Sequence, residues 1–213
     1  LGVFTHLGDA HGVNFESSAH KLSEKILLFK GVEVVVCQHL DHIVSALAQK
    51  GIATYSWGDH PKADVQLHKV ERKGQSSVLH IRYLNTEREM TIPFTDEASI
   101  SNAMNCIATA LFIGVDAQLI SEEVQLLPSI NMRLEQREGN NGNNRIWDYY
   151  NADLASMKIA LEFLAQQSEA GQRMLILSDI AESKYADERL YSELAKLIET
   201  FEIDQLIGIG PSL

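Results

Sequence analysis

Short apolar runs alternate with segments of helical period along most of this chain. That alternation restricts the chain to an α/β class, with parallel strands joined by helical crossovers. Residues 32–37 are rich in valine and read as a strand buried on both faces. Residues 3–7, 52–57, 174–177 and 206–209 read as further strands. Helical spacing appears over 18–29, where Leu22, Ile26 and Phe29 recur, and over 41–50, where Gly51 supplies the stop. Further helices are expected over 100–113 and over 121–127, ahead of Pro128. Leu154, Met157, Leu161 and Leu164 share one helix face, and Leu190, Leu194, Leu197, Ile198 and Phe201 form the apolar positions of another.

Between these segments the period drops to two. Residues 65–70, 77–84 and 89–94 alternate polar and apolar with turn signals between them, which predicts an antiparallel meander. Gly139-Asn-Asn-Gly-Asn-Asn144 tolerates positive φ and predicts a hairpin tip between strands at 132–137 and 145–149. The stretch from Pro128 to Arg133 is the best domain junction, dividing the chain into 1–131 and 132–213. The chain starts and stops on core strands, so we expect it to be an excised piece of a longer protein.

Composition narrows the function. The chain has 213 residues, 45% of them hydrophobic, enough for a packed core. With 18 Lys+Arg against 29 Asp+Glu the net charge is −11, which argues against coating nucleic acid or an anionic membrane surface. Bound ATP stays possible, because magnesium and a few basic groups can hold phosphates. Cys37 and Cys106 stand far apart with no CxxC, so reduced thiols are expected.

Four candidate places could carry chemistry. His11, in Thr5-His-Leu-Gly-Asp-Ala-His11, follows a predicted parallel strand, where open α/β sheets place ligands. A lone histidine after a strand is more often a hydrogen-bonded loop residue than a ligand, and Lys25 alone reads as an ordinary helix lysine. Asn102 and Asn105 share a face near the expected start of a helix, where amides and free N–H groups could grip a purine or phosphate. Capping and packing is the alternative. Arg133 could clamp a phosphate or form a surface ion pair. Asp148 could accept bonds from ribose hydroxyls, or it or Asn151 could cap the next helix. His39 and His42 resemble a metal pair but lack an evident third ligand. Gly208-Ile-Gly-Pro-Ser212 is glycine-rich without a complete phosphate pattern, and GxxxxGK[ST] occurs nowhere in the 213 residues.

In this order and spacing the motifs resemble the Mur ligases, the ATP-dependent amide-bond-forming enzymes of peptidoglycan synthesis. The segment ending in His11 is similar to the one that carries the family's magnesium-binding histidine. Lys25 falls at the family's carbamylated lysine, and Ser101-Asn-Ala-Met-Asn105 resembles the Asn-x-x-Asn helix at the adenine. Arg133 matches an arginine on the γ-phosphate, and Asp148 the ribose-binding aspartate. Tyr150-Asn-Ala152, Ser156-Met157 and Leu177-Ser-Asp-Ile-Ala-Glu182 are similar to the D-alanyl-D-alanine-adding branch. Folylpolyglutamate synthases share the fold but have a different sequence there. Departures are Tyr149 for a usual Ser, Asp153 for Asn, Leu154 for Pro and Ser178 for Gly.

The resemblance implies a truncated P-loop-type mononucleotide-binding domain with an antiparallel meander, followed by a truncated Rossmann-like C-terminal α/β domain. It implies catalytic roles for Lys25 and Arg133, nucleotide contacts from Asn102, Asn105, Arg133 and Asp148, and magnesium held by His11 and carbamylated Lys25. It further implies a cytoplasmic ligase joining D-alanyl-D-alanine to a UDP-N-acetylmuramoyl tripeptide through an acyl phosphate, with nucleic acid and membrane not among its partners. The 213 residues lack the P-loop, so they are expected to be inactive alone. Some chains of this branch continue into a pyridoxal-phosphate alanine racemase, and no such segment lies within these residues. A non-catalytic module that kept the fold, and another ligase of the wider family, are the alternatives.

Overall fold

The computed structural model describes residues 1–7, 15–128, 134–149, 152–167, 171–180, 183 and 185–213. Contacts divide them into two units. The first is Leu1–Leu7 with Ser17–Pro128, and the second contains 134–213.

In the first unit a six-stranded mixed sheet follows chain order. Its strands are β1 (Gly2–Phe4), β2 (Val34–Gln38), β3 (Ala53–Gly58), β4 (Val65–Lys73), β5 (Ser76–Tyr83) and β6 (Thr86–Ile92). The first four pair in parallel, although β3 meets β4 only at Trp57↔Val65 and Gly58↔Gln66. From β4 onward the pairing is antiparallel, as the two-residue period predicts. Helix α1 (Ser18–Leu27) and helix α2 (Asp41–Gln49) link the parallel strands, and α3 (Glu97–Phe112) follows the meander.

β2 is buried on both faces. Val35 and Cys37 join Phe4, Leu22, Ile26, Ile43 and Leu47 on the side of α1 and α2. Val36 joins Trp57, Leu79, Ile81, Met104 and Ile107 on the side of α3. The alternation of side chains along the strand sends neighbouring valines into different cores. α3 supplies Ile100, Ala103, Met104, Ile107, Ala108 and Leu111, spaced three and four apart, to the second of these cores.

Capping shifts two helix boundaries from expectation. α3 starts at Glu97, three residues earlier than the apolar period suggests, because the Asp96 carboxylate accepts the Ser99 N–H at 2.8 Å. Helix α4 (Ala117–Glu123) begins earlier than 121 because Asp116 caps it through the Gln118 and Leu119 N–H groups. A 3₁₀ turn, Val124–Leu126, then finishes the segment.

In the second unit, β7 (Glu135–Glu138) and β8 (Asn144–Trp147) form the expected hairpin. Helix α5 (Leu154–Gln167), β9 (Met174–Ser178), α6 (Asp187–Thr200) and β10 (Gln205–Ile209) follow. β9 and β10 pair in parallel across the α6 crossover. Their core holds Met157, Leu161, Leu177, Ile180, Leu190 and Leu194. The sequence pattern suggests that the strand before α5 joins this parallel sheet. Instead, among the described residues, β8 pairs with β7 alone and β9 with β10. No described helix is long and apolar enough to cross a membrane.

Two predictions follow from local chemistry. Tyr83 pairs with Thr86, so Leu84 and Asn85 form a two-residue turn with both φ positive, 48° and 60°. That geometry suits type I′ turns, and leucine is a poor occupant of its first position. Leu84→Asn should stabilise the chain by about 0.5–1 kcal/mol, read as a higher urea midpoint at constant slope. An unchanged or lower midpoint would contradict the strain. The two thiols should also differ. Cys37 is buried and its pKa is pushed up to about 11, first by desolvation and then by Asp64, whereas Cys106 is exposed. An aromatic disulfide reagent should therefore modify Cys106 in the native chain and reach Cys37 only after denaturation.

Candidate nucleotide and metal site residues

Lys25 lies in the last turn of α1, half-buried beside the end of β1. Its Nζ donates to the His6 carbonyl at 3.0 Å and stands 6.0 Å from the centre of the Phe4 ring. Burial lowers its pKa, and the Lys21 charge one turn earlier lowers it further. The ammonium is thus less favoured here than on an open helix, which raises the share of nucleophilic neutral amine. The sequence alone gives Lys25 no such distinction, because burial and the Lys21 neighbour act only once α1 packs on the sheet.

Asn105 is 3% exposed, deep in α3. Its Oδ1 accepts the Trp57 indole N–H at 2.8 Å. Its Nδ2 donates to the Ser101 carbonyl at 3.1 Å and to Thr5 at 3.5 Å. One amide therefore ties α3 to β3 and to the segment just after β1. Asn102 is exposed on the same helix. Both asparagines lie beyond the first turn, because Asp96 starts the helix at Glu97. The expectation of free helix N–H groups beside these amides is corrected accordingly: the unpaired N–H groups belong to the first turn.

In the second unit, Asp148 follows β8 and is half-buried. It does not cap α5. That role belongs to Asp153, whose carboxylate accepts the Ser156 N–H at 2.7 Å, while Ser156 Oγ accepts the Asp153 N–H at 2.9 Å. This reciprocal pair is a capping box, and it removes the capping alternative for Asp148. His11 and Arg133 lie outside the described residues.

His39 meets a histidine other than His42, with which it only resembles a metal pair in sequence. His42 is exposed on α2 and takes no part; the histidine that meets His39 is His60, after β3. Sequence spacing missed it because 21 positions separate them, and only the parallel pairing of β2 with β3 brings the two strand ends together.

Comparison with known proteins completes this picture. The sequence pattern of the Mur ligase middle domain matches residues 1–110. UDP-N-acetylmuramoyl-tripeptide--D-alanyl-D-alanine ligase of Bacillus subtilis is 25% identical over 211 residues, covering 98% of this chain and 45% of that enzyme. The crystal structure of MurF from Acinetobacter baumannii superposes with a TM-score of 0.80 at 22% identity, over 99% of this chain and 46% of that one. MurF ligase from Thermotoga maritima, solved in complex with ADP, gives 0.79 at 16% identity, over 99% and 49%. The chain thus spans less than half the length of these relatives, and the structural likeness establishes a shared mixed α/β fold. With the middle-domain pattern running through more than half of its residues, the chain belongs to the Mur ligase family.

Proposed function

We propose that this chain is the part of an ATP-dependent Mur ligase that carries most of its middle domain (1–131) and the start of its C-terminal domain (132–213), and that the whole protein adds D-alanyl-D-alanine to a UDP-N-acetylmuramoyl tripeptide in the cytoplasm. The observation that carries this reading is the match to the B. subtilis D-alanyl-D-alanine ligase along 98% of the chain. The A. baumannii and T. maritima structures are of the same enzyme type.

The chemistry in question brings a peptide carboxylate to a triphosphate, so its obstacle is repulsion between anions. ATP supplies the phosphoryl group that converts the carboxylate into an acyl phosphate; the amine of D-alanyl-D-alanine then attacks the carbonyl carbon and inorganic phosphate leaves. Magnesium, when bound, neutralises charge between the reacting anions. As a free ammonium Lys25 would repel that ion. Its partial burial and lowered pKa favour the neutral amine, which can add CO₂, release a proton and present a carbamate oxygen. The donor chemistry of Lys25 in that form fits a magnesium site, with His11 as the other proposed ligand. Arg133 is proposed to clamp the γ-phosphate, Asp148 to hold the ribose, and Asn102 with Asn105 to face the adenine. Asn105 already spends both amide protons on backbone carbonyls. Any contact from it to a nucleotide therefore uses the remaining lone pair on Oδ1.

The test uses the full-length protein. ADP release should require the UDP-linked tripeptide and D-alanyl-D-alanine together, and other acceptor amines should fail. Lys25→Arg, which keeps a cation but cannot form a carbamate, should lower turnover by about 10²–10³-fold. It should also remove a ¹³C carbamate resonance seen after equilibration with labelled bicarbonate. Full activity in Lys25→Arg would exclude the role of this lysine. Absence of turnover with any acceptor in the unaltered protein would favour a non-catalytic module.

A further inference from the structure

We propose that His39, His60 and Asp41 form a binding site for a divalent transition-metal ion of the zinc class. The three residues come from the carboxyl ends of two neighbouring parallel strands. His39 follows β2, Asp41 opens α2, and His60 follows β3. The Asp41 Oδ1 atom stands 3.8 Å from His39 Nε2 and 3.9 Å from His60 Nε2. All three ligand atoms lie within 4.8 Å of one another. Zinc bonds near 2.0–2.2 Å in tetrahedral geometry place ligand atoms about 3.4 Å apart, so the carboxylate has about 0.5 Å to close on each ring.

The support behind His39 sets its tautomer. Ser56 Oγ donates its only proton to Asp64 Oδ2 at 3.1 Å, and the Ser56 N–H holds the same carboxylate oxygen at 2.7 Å. At 2.8 Å from His39 Nδ1, the serine oxygen can then only accept, so Nδ1 carries the ring proton. In the neutral ring Nε2 then presents a bare lone pair beside a carboxylate oxygen. Two acceptors facing each other gain nothing by themselves, and a cation between them satisfies both. A chain of hydrogen bonds behind a histidine, ending on a carboxylate, is the arrangement that orients imidazole ligands in metal sites.

His60 stacks on His39, with ring centres 4.2 Å apart and planes 3° from parallel. Its Nδ1 accepts the Lys62 N–H at 3.1 Å. Binding at Nε2 moves the ring proton to Nδ1 and tilts the ring, and the exposed Lys62 N–H passes to water. Asp41 is 85% exposed and His60 32%, so an ion can enter from solvent, whereas His39 at 8% is fixed. Two imidazoles and one carboxylate suit zinc, cobalt or nickel and not magnesium or calcium, which take oxygen ligands. Three protein ligands leave a fourth position for water.

Cobalt(II) is the probe, added to the metal-free chain and followed by its visible absorption. One equivalent should bind saturably, and excess magnesium should not displace it. His60→Ala, at a half-buried side chain, and Asp41→Asn, at an exposed one, should each weaken binding at least about tenfold while circular dichroism stays unchanged. Ser56→Ala should weaken it about 10–100-fold through the loss of orientation. His11→Ala should leave it untouched, which separates this site from the magnesium site of the proposed ligase reaction. Failure to bind one equivalent, binding indifferent to His60→Ala and Asp41→Asn, or binding abolished by His11→Ala would each overturn the assignment.

Discussion

Burial of β2 on both faces is the constraint on which the first unit depends. Val35, Val36 and Cys37 are fully buried, and their side chains alternate between the core under α1 and α2 and the core under α3. Each such side chain contributes about 1.5–3 kcal/mol relative to an exposed one, and a one-residue slip would exchange the two sets. The register of β2 against β1 and β3 is thereby fixed. Fixing it also fixes what leaves the carboxyl end of the strand: His39, Asp41 and the first turn of α2.

A second element of order is polar. The Asn105 amide joins the Trp57 indole, the Ser101 carbonyl and the Thr5 carbonyl inside an otherwise apolar core. Without that side chain, the buried Trp57 indole N–H would forfeit about 1–3 kcal/mol. The amide therefore specifies how α3 sits over the ends of β1 and β3. Lys25 draws on the same region, since its amine rests on the His6 carbonyl one residue beyond Thr5. A helix asparagine and a helix lysine that look ordinary in sequence acquire defined environments because one strand end lies between them.

Much of the fold was legible from periodicity. The change from helical to two-residue period announced the meander of β4 to β6, and leucine spacing gave the buried face of α5 with Met157 and Leu161. Helix starts were read less well, because the caps are single side chains that bond a few residues onward. Asp96 and Asp116 each start a helix several residues earlier than the sequence pattern suggests. Of the site residues, Lys25, Asn102, Asn105 and Asp148 were nominated by motif, and motif says nothing of burial. It could not tell exposed Asn102 from buried Asn105, nor show that Asp153 rather than Asp148 caps α5.

The amino-acid order by itself determined the α/β class, the meander, the hairpin around the Gly/Asn tip and the membership of the Mur ligase family. Those features are local, or reside in motifs that the linear order preserves. Tertiary structure decided which histidine faces His39, which carbonyl steadies Lys25 and which core each valine of β2 enters. The reason is that strand pairing and helix docking set distances between residues remote in the chain. Burial, tautomer and pKa depend on those distances, and sequence spacing does not encode them.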